Sequence, residues 1–299
     1  MSNFELSGSQ SYVSEEPIMP PCNPTEKILV KFWGVRGLIP TPCSRTHRYG
    51  GNTACIEIYV GGQHLIFDGG TGLRILGRTW QKLHEPLEAH LFFTNSQSNH
   101  IQGFPFFAPA FVTKNSFHIY GTAASNGASI KQCLCDQMLQ PLFPYPIQAM
   151  QSKLQFYNLI PGQEIKIGDA TVNTALVNQN QKSLGYRITN EEYSIAYVTD
   201  LHKNLDQAER DRILQIIQNA DLLIANATYN PPTSDKHEVN DVHWKTAVDL
   251  ATSASVKQLV ISQHHPDDND DFLDKVQLEI QSVFPKALLA CEGLVLSIG

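Results

Sequence analysis

From Ile28 to the C-terminus, short apolar runs alternate with longer stretches whose apolar residues recur every three or four positions. The runs at 29–33, 56–60, 65–67, 91–93, 195–198, 222–225, 259–261 and 294–298 are bounded by polar residues or glycine and predict strands. Three stretches predict helices. In 205–220, Leu205, Ala208, Ile213, Ile216, Ile217 and Ala220 share one face; in 272–283, Phe272, Val276, Ile280 and Val283 do so. In 244–254 the shared face carries Ala247, Val248 and Ala251, and all three stripes are expected to face the core. Strands and helices interleave without a break, which predicts one layered α/β domain over 27–299. Residues 1–26 are polar, hold Pro17, Pro20, Pro21 and Pro24, and show no sustained periodicity. They are expected to form a mobile tail or a strap across the surface.

Composition narrows the function. Acidic residues outnumber basic ones 29 to 22, a formal charge of −7, which disfavours a general binder of nucleic acid or of anionic membranes. No apolar run approaches the ~20 residues of a membrane span, and the acidic N-terminus lacks the basic start and apolar core of a secretory signal. A cytoplasmic protein is expected. The six cysteines (Cys22, Cys43, Cys55, Cys133, Cys135, Cys291) are scattered, which suits reduced thiols better than a disulfide frame or a zinc knuckle.

Several strands end in polar residues, and the C-terminal edges of strands are where α/β proteins place their sites. Asp68-Gly69-Gly70-Thr71-Gly72 follows one strand and leads towards a helix; Thr94-Asn95-Ser96-Gln97-Ser98-Asn99-His100 follows another. Thr199-Asp200 and Ser262-Gln263-His264-His265 close two more. The glycine-rich turn has two readings: backbone N–H groups offered to a phosphate, or a tight strand-to-helix turn.

The blocks Phe32-Trp33-Gly34-Val35-Arg36-Gly37, Arg48-Tyr49-Gly50-Gly51-Asn52-Thr53 and Phe67-Asp68-Gly69-Gly70-Thr71-Gly72 resemble the metallo-β-lactamase superfamily. The similar branch is that of tRNase Z and the bacterial cyclic-nucleotide phosphodiesterases. Further matching blocks are His100-Ile101-Gln102-Gly103-Phe104-Pro105-Phe106-Phe107, Leu184-Gly185-Tyr186-Arg187 and Asp270-Asp271-Phe272-Leu273-Asp274, so the likeness runs over 28–298 in the family's order. It implies an α/β fold, the αβ/βα four-layer sandwich, with a metal cleft along one edge.

The departure from that family carries the functional expectation. The resemblance implies a His-x-His-x-Asp-His motif holding two metals, and this chain has Asn95, Gln97, Asn99 and His100 at those four places. The next ligand position falls on Gln179, the metal-bridging acid on Asp200 and the last histidine on Gln263. The histidine that donates a proton in the phosphodiesterase branch falls at or near Asp241. Zinc sites use imidazole, thiolate or carboxylate, and a neutral amide offers only a weakly basic oxygen. Without the metal there is neither an activated hydroxide nor a Lewis acid. The expectation is therefore a pseudoenzyme with no catalytic residues, no cofactor and no zinc. All five replacements are Asn or Gln, which predicts a polar, packed former metal pocket in which Asp200 pairs with His100.

Such a protein would act by binding, either to an unidentified protein partner or to a small ligand in the former cleft, and the family likeness allows a homodimer. Two alternatives stay open. One is a residual metal-dependent phosphodiesterase in which an oxygen-rich set takes Mg²⁺ or Ca²⁺. The other is an RNA-binding module, against which the acidic balance speaks. His264 is expected beside the cleft; His202, His237 and His243 are expected to be solvated. Residues 104–111, rich in Phe and Pro, are expected to pack beneath the site.

Overall fold

The computed structural model describes residues 28–83, 85–191, 193–227 and 244–299. The expected N-terminal tail, Cys22, His237, Asp241 and His243 lie outside the described residues. Strands β1 (Ile28–Gly34), β2 (Cys55–Val60) and β3 (Gln63–Phe67) lead into helix α1 (Gly72–Trp80). There follow β4 (Glu88–Phe92), α2 (Ser98–Ile101), β5 (Ser116–Gly121), α3 (Ile130–Asp136), β6 (Lys153–Asn158), β7 (Glu164–Ile167) and β8 (Ala170–Asn178). The chain continues through β9 (Ser183–Asn190), β10 (Tyr193–Val198), α4 (Gln207–Ile217), β11 (Leu222–Asn226), α5 (Lys245–Ser253) and β12 (Gln258–Ser262). It closes with α6 (Asp270–Val283), β13 (Ala287–Leu289) and β14 (Val295–Ile298).

The described residues form two seven-stranded sheets, in the orders β14-β1-β2-β3-β4-β5-β6 and β13-β12-β11-β10-β9-β8-β7. Phe32, Ile56, Phe67 and Phe92 from the first sheet meet Leu184, Tyr186, Ile195 and Ile224 from the second in a central core. A second core lies beneath α4, α5 and α6, where Ile213, Val248 and Ile280 pack on Leu223 and Ile261. A third lies beneath α1 and α3, where Leu73, Leu76 and Leu134 join Ile66, Leu91 and Ile119. Helix, sheet, sheet and helix are thus stacked, and the expected αβ/βα sandwich is what the chain builds. Burial of these three cores, at ~25 cal/mol per Å² of apolar surface, is the main force holding the layers together.

All eight expected strands and all three expected helices are present. Helix α4 starts at a capping box: Asp206 accepts from the Glu209 amide at 2.7 Å, and the Glu209 carboxylate accepts from the Asp206 amide at 3.2 Å. In 104–111, expected to pack beneath the site, Phe104, Phe107 and Ala110 are buried in the core beneath α1, while Phe106 is exposed. The five cysteines among the described residues are free. No helix among the described residues is long and apolar enough to cross a membrane.

Strands β3 to β6 run parallel, as do β10 to β13, and their C-terminal ends meet along one rim. That rim positions the site.

Candidate functional site

Three side chains at the rim stand on residues with left-handed backbone: Asp68 after β3 (φ 61°), Asp200 after β10 (φ 61°) and Gln263 after β12 (φ 55°). Non-glycine residues avoid this region, so each turn is held there by its surroundings. Asp68 shows how. Its Oδ1 accepts from the Thr94 amide and from the Thr94 hydroxyl, both at 2.9 Å. Its Oδ2 accepts from the Tyr197 hydroxyl at 2.8 Å and lies 2.8 Å from His100 Nδ1. Asp68, Thr94, His100 and Tyr197 are all buried, so this carboxylate ties β3, β4, α2 and β10 together out of water.

His100 is the electrostatic centre of the site. Burial pulls its pKa down, but Asp68, by charge and by hydrogen bond, and Asp200, by charge, outweigh that and raise it to about 8. Its Nε2 lies 3.9 Å from Asp200 Oδ1 and has no hydrogen-bond partner. The expected pairing of His100 with Asp200 is therefore loose, and the close partner is Asp68, a residue expected only to open a turn. A signal was present: an acid directly after the apolar strand β3 is an acid about to be buried.

Asn95, buried after β4, donates its amide to Asp200 Oδ2 and faces Ser183 Oγ at 3.4 Å, while its own Oδ1 accepts from the Gln97 amide at 2.7 Å. Gln263 is buried, and its Nε2 lies 3.4 Å from the Tyr197 hydroxyl. Asn99 is buried as well. Short contacts link Asn95, His100, Asp200 and Gln263, the last by way of Tyr197 and Asp68, whereas Gln97 and Gln179 are exposed. At the end of β8 the buried amide is Asn178, whose Nδ2 donates to the Asp200 carbonyl at 3.1 Å. Asn226 at the end of β11 accepts from the Leu201 amide at 2.9 Å and fixes the chain beyond Asp200.

The glycine-rich turn is a tight turn, and a phosphate cradle is corrected by its hydrogen bonds. Gly69 N donates to His100 O (2.6 Å), Gly70 N to Ala54 O (2.8 Å), Thr71 N to Thr53 Oγ1 (2.8 Å) and Gly72 N to Thr53 O (3.3 Å). All four amides are spent within the protein. A Cβ on Gly70 would lie 2.4 Å from Asn99 O, and one on Gly103 would lie 1.9 Å from Gly70 O. Only glycine lets these two loops touch.

His264 is buried, its Nε2 2.7 Å from Ala290 O, and its pKa falls to about 4, through burial first and then the nearby Arg36 charge. His202 departs from the expected solvated state: its Nε2 lies 3.2 Å from the buried Glu209 carboxylate.

A dinuclear metal centre does not fit this donor set. The pocket supplies one imidazole nitrogen and the Asp200 carboxylate, since Asp68 is saturated by protein donors. The other candidate positions are amides, and one of them already occupies Asp200. Among the described residues, the rim gathers no three His, Cys, Asp or Glu ligand atoms within 4.8 Å of one another.

No curated protein matches this sequence. Among solved structures, the metallo-beta-lactamase fold protein YhfI from Bacillus subtilis superposes with a TM-score of 0.63 at 19% identity, covering 91% of this chain and 100% of that one. A diphosphatase from the PhnP family gives 0.63 at 15% identity, over 91% and 98% of the two chains. Human tRNase Z, short form, gives 0.61 at 16% identity, over 91% and 99%. At these identities the likeness speaks for the fold, the metallo-β-lactamase sandwich. The model of the family described as beta-lactamase superfamily domain matches residues 63–265, and the chain belongs to that family.

Proposed function

We propose that this chain is a pseudoenzyme of its family, a cytoplasmic protein that works by binding, through protein contact or a ligand at the former cleft. One observation carries the reading: the Asn95 amide is hydrogen-bonded to Asp200, the one acid at the position that bridges two metals in the resembling hydrolases. An amide–carboxylate bond satisfies Asp200 inside the protein, and a neutral amide is a poor exchange for an imidazole at zinc. A homodimer, by family likeness, is part of the same proposal. Tag-free protein, assayed for metal content and for phosphodiester hydrolysis, tests it. The expected result is no hydrolysis above background and a metal content unaffected by Asp200→Ala. Turnover that needs near-stoichiometric zinc, manganese or iron and vanishes in Asp200→Ala would reject the reading.

A second reading is favoured by the unpartnered Nε2 of His100, buried 3.9 Å from Asp200. A residual phosphodiesterase with a weak, altered metal site would place a cation there. Titration with Mg²⁺, Ca²⁺ or Mn²⁺ while following thermal unfolding decides it, because an ion bound only by the folded state raises the melting temperature. No shift at millimolar cation ends that alternative.

A further inference from the structure

The inner face of the first sheet carries a second group of titratable side chains, remote from the rim. Glu88 and His90 stand two apart on β4 and so project to the same side, and His118 on β5 is the direct cross-strand neighbour of His90. The side is the inter-sheet one, since Phe92 and Tyr120 of the same rows belong to the central core. Counting ~3.3 Å per strand residue, the group lies about 13–20 Å along β4 from Thr94, so it is separate from the former cleft.

We propose that Glu88, His90 and His118 form a site for a late first-row divalent metal ion, with two imidazole nitrogens and one carboxylate oxygen as ligands. The geometry carries it. One ligand atom from each residue lies within 4.8 Å of the other two. The imidazole rings are stacked, with centroids 4.6 Å apart and planes 12° from parallel. Glu88 Oε1 is 3.0 Å from His118 Nε2, where a bound ion would replace the proton between them. Two tyrosines hold the rings: Tyr120 OH is 3.2 Å from His90 Nδ1, and Tyr157 OH is 3.2 Å from His118 Nδ1. Engaging Nδ1 of each ring leaves Nε2 to coordinate, the arrangement by which hydrogen-bonded neighbours orient metal-binding histidines.

The chemistry agrees. Two nitrogens and one oxygen suit Zn²⁺ and, with the same donor set, Fe²⁺; Mg²⁺ and Ca²⁺ prefer all-oxygen cages. Ligand nitrogens at ~2.1 Å from a tetrahedral ion are about 3.4 Å apart, so ligand atoms now within 4.8 Å of one another close by up to about 1.4 Å, and the near-parallel rings rotate so that their in-plane lone pairs converge on the ion. His118 is half-buried and Glu88 exposed, which leaves a route in from solvent and room for a water or a partner's group as fourth ligand.

The test uses the full chain stripped with EDTA, titrated with Zn²⁺ by calorimetry and with Co²⁺ by visible absorption. One equivalent should bind, with the intense Co²⁺ bands of four-coordination. Glu88→Gln should weaken binding about tenfold or more and His118→Ala further, while Asp200→Asn leaves it unchanged. Glu88 is exposed at the strand start, so its variant folds and carries the test even if His118→Ala does not. Absence of saturable binding, affinity in Glu88→Gln equal to the parent, or loss of binding in Asp200→Asn would each overturn the site. If the former cleft also takes a cation, that second equivalent disappears in Asp200→Asn while the Glu88-dependent one stays, so the two readings are distinguishable.

Discussion

His100 Nδ1 and Asp68 Oδ2 lie 2.8 Å apart with both side chains wholly buried, and this pair sets the charge state of the pocket. Because the folded pKa of His100, about 8, stands above the ordinary 6.5, the folded state holds this proton more tightly than the unfolded chain. The resulting stability is complete below pH ~6.5 and lost as the pH rises through about 8. A shift of this size corresponds to about 2 kcal/mol. Urea unfolding at a series of pH values should show that alkaline decline, and His100→Gln should flatten it. An unchanged alkaline limb in His100→Gln would refute the assignment.

On the acid side the sign reverses. His90 and His264, both lowered to about 4, are kept neutral by the fold, so the unfolded chain takes up their protons first. Their contribution is complete above pH ~6.5 and is lost as the pH falls towards 4. NMR titration of the histidine ring protons should find these two unprotonated at pH 5, and a normal titration near 6.5 for either would contradict the packing described.

Asp68→Asn keeps the shape and removes the charge. Tyr197, Thr94 and His100 would then share one neutral oxygen, and a buried histidinium would lose its close counter-ion. Breaking one partner of a buried pair typically costs about 3–5 kcal/mol. Chemical denaturation should register a loss of that order, larger than for Gln263→Ala, whose one hydrogen bond at 3.4 Å is long.

Gly103→Ala tests the contact between the two loops. A methyl group 1.9 Å from the Gly70 carbonyl cannot be placed without moving backbone on both sides. A destabilisation on the order of 3 kcal/mol is expected, at the upper end of overpacking effects. A melting temperature within a degree of the parent would show that the loops separate easily.

The strands visible in the sequence are those buried on both faces or closed by glycine, such as β1, β11 and β12. Strands β5, β6 and β8 were hidden because polar residues interrupt them: His118 and Gln155 sit where the first sheet approaches its edge, and Asn173 and Thr174 break the apolar run of β8. At the rim, Asn95, His100, Asp200 and Gln263 were legible from the order of family blocks. Asp68 as the pivot was not, because its partners Thr94 and Tyr197 come from 26 and 129 residues away and no local spacing joins them. Asn178 carried no local signal: it is buried at the end of β8 and bonds the Asp200 carbonyl, while its neighbour Gln179, the ligand position by resemblance, is exposed.

Several bonds at the rim cross from one sheet to the other. The Leu184 amide donates to Thr94 O at 2.9 Å, Tyr186 OH to Phe93 O at 2.6 Å, and Tyr197 OH to Asp68. Prising the halves apart at this seam would strand all of these donors in an apolar interior, so small excursions gain nothing. Isotope exchange at the Leu184 and Thr94 amides should accordingly proceed only through complete unfolding, making this rim one of the slowest-breathing parts of the molecule.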